Sequence, residues 1–264
     1  MDKYIQPFRV AHGVTANTTL DSGERMLDIL EALKENTSAG VTELAERLGM
    51  PKSTVHIHLS TLRERGYVVQ TEGKQYRLSL RFLDMGTIAR ENQTVYDEIV
   101  PKLEEIAEET EEKSWCTVEE NGKAVFIGKA TGAHGIQTNV RIGQHVELYR
   151  LAAGKAILAN VPEDRRREIL DGYEFPLEGG VTRADFEGNL ASIRDRGIAY
   201  GSGRFIDGVT GVGAPITDTS GNIYGAISIS GPTDRLDNDR IKNELADLVR
   251  GVAGEMRVNL SYRR

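Results

Sequence analysis

The chain has 264 residues, of which 39% are hydrophobic and 28% are charged, and its formal net charge is −7. This composition is typical of a globular protein with one large or two modest domains. No apolar run approaches the ~20 residues of a membrane helix, and the N-terminus lacks the apolar core of a signal peptide, so we expect a cytoplasmic protein without a membrane partner. The single cysteine excludes an internal disulfide and a CxxC-type zinc site.

The first predicted element is a helix that follows an irregular arm at residues 1–18. Asp21 or Ser22 can cap this helix, because a short polar side chain satisfies backbone N–H groups that the first turn leaves unpaired. Apolar residues then recur at helical spacing, which predicts the side that faces a core. These inward positions are Met26, Leu27, Leu30 and Leu33.

Residues 42–78 predict a winged helix-turn-helix, in which one helix enters the major groove of DNA. A short helix opens at Thr42 and ends at Gly49, because glycine tolerates the left-handed turn there. Pro51 suits the start of the next helix, where its missing N–H leaves no partner unsatisfied. Two short strands with turn residues between them follow and form the wing. In the second helix the residues expected to face the core are Val55, Leu59 and Leu62.

The exposed side of this second helix and the wing carry the candidates for contact with double-stranded DNA. Residues 50–81 contain six Lys or Arg against two Asp or Glu, so positive charge is concentrated where phosphates would lie. An ordinary solvated helix face is the alternative. We favour DNA because Ile57 stands on this exposed side, where a thymine methyl group would cover it. The predicted DNA-binding residues are Lys52, Ser53, Thr54, His56, Ile57, Arg63, Lys74 and Arg77.

Residues 80–112 are predicted to be largely helical, with a change of direction near Gln93. Pro101 should start or kink the second part, since its ring and its missing N–H disrupt a helix interior. Glutamates recur along this part, and we interpret them as a solvated acidic face. They are Glu104, Glu105, Glu108, Glu109, Glu111 and Glu112.

From Trp115 onward the pattern indicates an α+β fold. The predicted strands are Trp115–Glu120, Ala124–Ala130, Thr138–Ile142, Val209–Thr217 and Ile223–Ser230. The predicted helices are Leu151–Asn160, Pro162–Leu170, Thr182–Arg196 and Leu236–Leu260. Helices that flank a mostly antiparallel sheet are typical of a small-molecule sensor domain of the GAF or PAS kind.

Two features of this second region indicate a ligand site. Ala152, Ala153 and Gly154 open a helix of small residues, so its N–H groups can approach an anionic ligand closely; helix packing alone is the alternative. Ser228 and Ser230 share one face of a buried strand and need hydrogen-bond partners, either a ligand or neighbouring backbone. The Gly-Lys pair in this helix lacks the rest of a phosphate-binding loop, so we do not expect nucleotide binding.

The sequence contains few candidates for catalytic residues. Cys116, His134 and His145 are the candidate catalytic side chains of this region, but no acid–base dyad is visible among them. Cys116 follows a strand-like tryptophan, which is typical of a small core residue. The histidines lack the tight spacing of metal ligands. We therefore expect no enzymatic activity, no metal and no cofactor.

Three blocks in this order and spacing resemble the IclR family of transcriptional regulators, and its haloarchaeal members in particular. The blocks are LGMPKSTVH at 48–56, LAAGKAILA at 151–159 and GAPITDTSGNIYGAISISGP at 213–232. The resemblance covers about residues 20–260. It implies a DNA-binding domain at 18–82, then a linker helix that dimerises and a GAF-like effector-binding domain at 83–264. Dimers or dimers of dimers on palindromic operators are implied as well.

The resemblance also implies an effector site for a small metabolite such as a carboxylate or a sugar derivative. The implied residues are Leu148, Ala152, Ala153, Gly154, Asp207, Pro215, Ser228 and Ser230. This chain departs from the family pattern near that site, because Arg204 stands where an acidic residue is common and Tyr149-Arg150 replaces a histidine and a small polar residue. It also departs on the recognition helix, where Ile57 replaces a frequent arginine.

The predicted function is therefore a metabolite-responsive transcriptional regulator that binds DNA. Two alternatives come from other classes of protein. One is an enzyme that its DNA-binding heads localise, and the other is an architectural DNA binder that senses no ligand.

Overall fold

The computed structural model describes residues 20–236 and 238–262. The predicted arm at residues 1–18 lies outside the described residues. The chain divides into two compact units, one that ends at Ala89 and one that begins at Arg90. Each unit is built around its own hydrophobic core.

The first unit is a helix-turn-helix with a preceding helix and a β-hairpin, as the sequence predicts. Its helices are α1 (Asp21–Glu35), α2 (Val41–Leu48) and α3 (Lys52–Glu64), and α4 (Arg81–Glu91) follows the hairpin. The hairpin pairs β1 (Val68–Gln70) with β2 (Tyr76–Leu78) in antiparallel register. The core contains Ile29, Leu33, Leu44, Val55, Leu59, Leu62 and Tyr76.

The first helix buries Leu33 and packs Met26 and Leu30 against the core as predicted, and it departs from the prediction at its cap and at Leu27. Leu20 occupies the N-cap position without a side-chain hydrogen bond, and Asp21 pairs with Arg25 one turn later instead of capping. Leu27, predicted to face the core, is 63% exposed, whereas Ile29 is fully buried. Two residues along a helix turn the side chain by about 200°, so the burial of Ile29 leaves Leu27 on the opposite side.

The turn between α2 and α3 confirms the chemistry that the sequence indicates. Gly49 has a φ of +63°, a conformation in which other residues are strained. Pro51 lies just before α3, so its missing N–H affects no helical hydrogen bond. Because α3 buries one stripe against this turn and α1, its other side is left to solvent.

The second unit is built on a six-stranded antiparallel sheet with the strand order β5-β4-β3-β8-β7-β6. The strands are β3 (Lys113–Glu120), β4 (Lys123–Thr131), β5 (His145–Glu147), β6 (Ala199–Ser202), β7 (Val209–Thr217) and β8 (Ile223–Pro232). The helices are α5 (Tyr96–Thr110), α6 (Ala152–Asn160), α7 (Glu163–Asp171), α8 (Arg183–Arg196), α9 (Asn238–Lys242) and α10 (Glu244–Tyr262).

Alternation along the strands gives each face of the sheet its own layer of helices. Ile227 and Ile229 of β8 belong to a core shared with α5 and α10. Ala226 belongs to the core on the other face, shared with α6, α7 and α8. There α6 packs closely on the sheet, because a Cβ at Gly213 would lie 3.0 Å from the backbone N of Ala153. This architecture confirms the predicted α+β fold.

Several segments differ from their predicted structure. Residues 138–142 form no strand, and the edge strand is β5, a few residues later. Pro101 lies inside α5, which already begins at Tyr96. The closing helix is interrupted at Asn243 and therefore consists of α9 and α10. β6 was not predicted, because it has only four residues and includes a glycine.

Glu112 does not belong to a solvated acidic face, contrary to the prediction. Its side chain is 1% exposed, and Arg235 donates hydrogen bonds to its two carboxylate oxygens at 2.5 and 2.8 Å. Arg240 contributes a further ion pair at 3.3 Å. A run of glutamates in sequence does not reveal that its last member is buried by cations 120 or more residues away.

Candidate functional site

The exposed side of α3 forms the first candidate site. Lys52, Ser53, His56 and Ile57 are exposed, and Thr54 is half-buried. No side chain caps the start of α3, so its free N–H groups remain available to phosphate oxygens. Ile57 is 63% exposed. An apolar side chain therefore stands on a polar face that includes a cation and the start of a helix.

The wing and the end of α3 hold the other predicted DNA-binding residues. Arg63 donates to Gln70 Oε1 at 2.8 Å, and Arg77 donates to the backbone carbonyl of Leu78 at 3.3 Å. Both arginines remain exposed. Lys74 occupies the hairpin turn with a φ of +55°. These contacts hold the guanidinium groups near the wing without neutralising their charge.

An open groove in the first unit brings two of these residues together. His56 of α3 and Lys74 of the hairpin both line it. Glu43 and Glu46 of α2 line it as well, and these carboxylates would repel phosphate. One side of the groove therefore presents residues that can bind phosphate, and the other side presents carboxylates.

The second candidate site is a cavity in the second unit, between the sheet and the start of α6. Its empty volume, including the part open to solvent, is about 600 Å³. Its walls come from β3, β4, residues 138–140, the start of α6, the β6–β7 connection and strands β7 and β8. A concave site with a largely apolar lining is typical of small-molecule binding.

One wall of the cavity is aromatic. The rings of Trp115 and Phe126 lie 4.9 Å apart, and Phe205 stacks on Phe126 at 6.2 Å. Val140 and Ile206 extend this wall. Such a surface favours a planar or apolar ligand body.

The charged residues at the cavity are cations. Arg150 and Arg204 line it, and no carboxylate lines it among the described residues. Arg150 pairs with Glu178, with 2.9 Å between Nη2 and Oε1. Arg204 makes no ion pair within the part of the chain that the structure describes. One of the two arginines therefore keeps an uncompensated charge at the cavity.

Lys155 reports the electrostatic potential beside the cavity. It lies on α6 and donates a hydrogen bond to the backbone carbonyl of Tyr200. Burial, followed by the positive charges of Arg204 and Arg196, lowers the pKa of Lys155 to about 8. The positive electrostatic potential that these side chains create beside the cavity favours the binding of an anion.

Hydroxyl groups of β8 face the cavity. Ser230 Oγ accepts a hydrogen bond from Trp115 Nε1 at 3.0 Å. Ser228 is 8% exposed, and its hydroxyl has no hydrogen-bond partner among the described residues. Ser230 therefore has a side chain as its hydrogen-bond partner, whereas the described residues provide no partner for Ser228.

The structure brings half of the implied effector-binding residues to this cavity. Those that line it are Ala152, Ala153, Ser228 and Ser230. Those that do not line it are Leu148, Gly154, Asp207 and Pro215.

Packing within the chain accounts for the glycine at 154. A Cβ on Gly154 would lie 2.1 Å from the carbonyl oxygen of Leu148. Leu148 is fully buried and begins the 3-10 turn Leu148–Arg150 that leads into α6. The close approach at Gly154 is therefore made by the chain's own backbone.

The aromatic wall was missed by the sequence reasoning. Trp115 pairs with Ser228 across β3 and β8, and Lys113 pairs with Ser230. Alternation along β3 alone places Trp115 and Cys116 on opposite faces, but only the register with β8 shows which face holds the cavity. The departures at Arg150 and Arg204 were the sequence signal that did mark the site.

The described residues give little indication of catalysis or of metal binding. Cys116 is fully buried, and burial raises the pKa of its thiol far above the usual value. His134 Nδ1 contacts Glu111 at 2.7 Å on the surface. Within residues 20–236 and 238–262 no group of three or more potential metal ligands occurs, and no helix is long and apolar enough to cross a membrane.

Comparison with known proteins found a matching family for each of the two units. Residues 22–72 match the IclR helix-turn-helix domain, and residues 88–257 match the bacterial transcriptional regulator IclR C-terminal domain. The chain is similar to the probable HTH-type transcriptional regulator ArcR of Halobacterium salinarum, with 28% identity over 240 residues that cover 89% of this chain and 91% of that protein.

Solved structures share the fold. The chain is similar to the IclR of Thermotoga maritima, with 28% identity, a TM-score of 0.76, and coverage of 92% of this chain and 99% of that one. An IclR homolog from Microbacterium hydrocarbonoxydans, complexed with 4-hydroxybenzoate, has 19% identity and a TM-score of 0.71, with coverage of 91% and 99%. At that lower identity the likeness concerns the fold.

Proposed function

Because the chain belongs to the IclR family of transcriptional regulators, we propose that α3 reads operator DNA and that the cavity beside α6 binds the controlling metabolite. The protein is a ligand-responsive, DNA-binding transcriptional regulator. The observation that carries the DNA part is the exposed side of α3, which combines a cation, hydroxyls, free helical N–H groups and Ile57. The proposed contacts are Lys52, Ser53, Thr54, His56, Ile57, Arg63, Lys74 and Arg77.

Self-association through α4 is the second part of the proposal. None of the residues of α4 is buried, and Leu83 and Ile88 are 66% and 54% exposed. Apolar side chains exposed this far along one helix are typical of an interaction surface. Two copies that pack through α4, as a homodimer or a dimer of dimers, would present two recognition helices to a palindromic operator.

The effector is proposed to be a small acid, either a carboxylate or a sugar-derived acid. Arg204, the open hydroxyl of Ser228 and the N–H groups of Ala152 and Ala153 support an anionic group. The 4-hydroxybenzoate bound by the Microbacterium homolog supports a carboxylate as the first probe. Leu148 and Gly154 would act by holding the start of α6 in place.

Three further points complete the proposal. The DNA-binding domain spans residues 18–82, and the linker helix and effector-binding domain span residues 83–264. The protein acts in the cytoplasm, where operator DNA is accessible. It catalyses no reaction on its ligand, since its relatives are regulators and the cavity is lined by no acid–base pair in the described residues.

In vitro selection from a random duplex library with the full-length chain tests this function. We expect the selected sequences to share two inverted half-sites about one helical turn apart, or a multiple of that distance. An architectural binder would recover no shared sequence. The double variant Leu83→Glu, Ile88→Glu should lower the mass measured by sedimentation and weaken binding to the selected duplex. Selected duplexes without inverted half-sites would contradict the dimer.

A further inference from the structure

We propose that the effector is an acid with one anionic group and an aromatic body, bound with its anion at Arg204 and Ser228 and its ring against Trp115, Phe126 and Phe205. This inference rests on the cavity being the effector site, as proposed above. It goes further by choosing between apolar carboxylates and sugar-derived acids.

The aromatic wall selects the body of the ligand. Trp115 and Phe126 lie 4.9 Å apart and tilted by 52°, and Phe205 lies nearly parallel to Phe126, with 28° between their planes. Val140 and Ile206 close this end with aliphatic groups. A flat apolar ring gains contact area on such a surface, whereas hydroxylated carbons lose their hydration there.

The charge around the cavity selects an anion. The chain carries a net charge of −7, yet Arg204 faces the cavity without an ion pair among the described residues. Lys155 lies close enough to Arg204 for that charge to contribute to the lowered pKa of the amine. Behind Trp115, the Lys113 ammonium is 5.4 Å from the indole ring centre, and Lys113 is 4% exposed. An anion bound beside Arg204 would offset its charge and the repulsion between Arg204 and Lys155.

Two polar groups are aimed at the position of that anion. α6 has nine residues, its N-cap Leu151 provides no side-chain cap, and Ala152 and Ala153 line the cavity at its first turn. Ser228 is more than nine-tenths buried, and within the described residues its hydroxyl has no partner. Helical N–H groups and a hydroxyl donor complement a carboxylate, and Arg204 supplies the opposite charge.

Each of the remaining hydroxyls of the cavity already has one protein partner, which leaves fewer hydrogen bonds for a sugar acid. Ser230 accepts from Trp115 Nε1 at 3.0 Å, and Thr138 accepts from Lys113 Nζ at 3.3 Å. The hydroxyl of Thr210 shares a hydrogen bond with the hydroxyl of Thr233, with 2.8 Å between the oxygens. A sugar acid would bury several hydroxyls with few free partners, and each unpaired hydroxyl would weaken binding by about tenfold.

Trp115 makes the test direct, because it is the single tryptophan of the chain and lines the cavity. Its fluorescence is titrated in the full-length protein with benzoate, with the uncharged isostere benzamide and with gluconate as the sugar acid. Benzoate should change the emission saturably. Benzamide should bind at least about tenfold more weakly, since it lacks the charge-assisted hydrogen bonds. Gluconate should give no saturable change.

Substitutions identify the residue that holds the anion. Arg204→Gln should weaken benzoate binding by about tenfold or more and leave benzamide binding nearly unchanged. Arg204→Lys should restore part of the benzoate affinity because it restores the charge. Arg257→Gln is the matched control: Arg257 is exposed on α10 away from the cavity, so this variant removes one positive charge and should bind benzoate like the wild type.

The inference would be overturned by equal affinity for benzoate and benzamide, by tighter binding of gluconate, or by no saturable response to benzoate. Operator binding, measured separately with the selected duplex, decides whether the proposed function survives such a result. Loss of benzoate binding in Arg257→Gln equal to that in Arg204→Gln would also contradict it, because the effect would then come from overall charge.

Discussion

The two units carry their proposed sites in opposite places. In the first unit the proposed DNA-binding residues stand on the surface, and Ile57 is 63% exposed. In the second unit the proposed effector-binding residues are buried, since Ala153, Trp115 and Ser228 are 2%, 5% and 8% exposed. A surface site can change its specificity without a change in stability, whereas a change in the cavity wall acts on folding and binding together.

The strongest test of this contrast is Gly154→Val. A Cβ at this position would lie 2.1 Å from the Leu148 carbonyl oxygen, which is backbone and cannot turn away. We expect the second unit to lose at least ~3 kcal/mol of unfolding free energy, measured by chemical denaturation. The matched control is Gly188→Ala on α8, where a Cβ meets no atom within 4 Å. It should be neutral or slightly stabilising. Wild-type stability of Gly154→Val would show that α6 is free to shift.

Glu112→Ala is the next largest expected effect. The change leaves Arg235 and Arg240 facing a buried site without their carboxylate. Breaking a buried ion pair costs ~3–5 kcal/mol, and we expect the lower end because the Arg235 side chain is 38% exposed to solvent. Denaturation of Glu108→Ala, an exposed glutamate of α5, gives the reference and should change by less than ~0.5 kcal/mol. Equal effects of the two substitutions would contradict a buried ion pair.

Lys52→Ala should act on binding alone. Removal of one phosphate contact lowers the affinity for all duplexes and reduces the slope of log affinity against log salt by about one unit. Fluorescence anisotropy at several salt concentrations measures both quantities, and the unfolding free energy should stay within ~0.5 kcal/mol of the wild type. An unchanged slope would remove Lys52 from the DNA contacts.

The smallest expected effect concerns Ile57 and a thymine methyl group. Replacing thymine by uracil at one position of each selected half-site should weaken wild-type binding by about fourfold, the value of one buried methyl. Ile57→Ala should bind the thymine and uracil duplexes almost equally. If no uracil position distinguishes the wild type from Ile57→Ala, the isoleucine does not face a base.

The first unit could be predicted from local backbone preferences. Much of the second unit could not, because its contacts join residues that are far apart in the sequence. Gly49 and Pro51 define the turn before α3 by their own backbone preferences, and that turn is observed as predicted. Trp115 reaches the cavity wall through a register with Ser228 that lies more than 100 residues along the chain. Glu112 is buried by arginines equally distant in sequence. Contacts of this kind leave no local period to read.

The coupling between the two units is the central claim, and operator affinity measured with and without benzoate tests it most directly. The full-length wild type and the cavity-filling variant Ser228→Val are compared on the selected duplex. We predict that benzoate changes the operator affinity of the wild type by about 5–150-fold and leaves that of Ser228→Val unchanged. The same benzoate effect in both proteins, or none in the wild type although benzoate binds, would contradict regulation through the cavity.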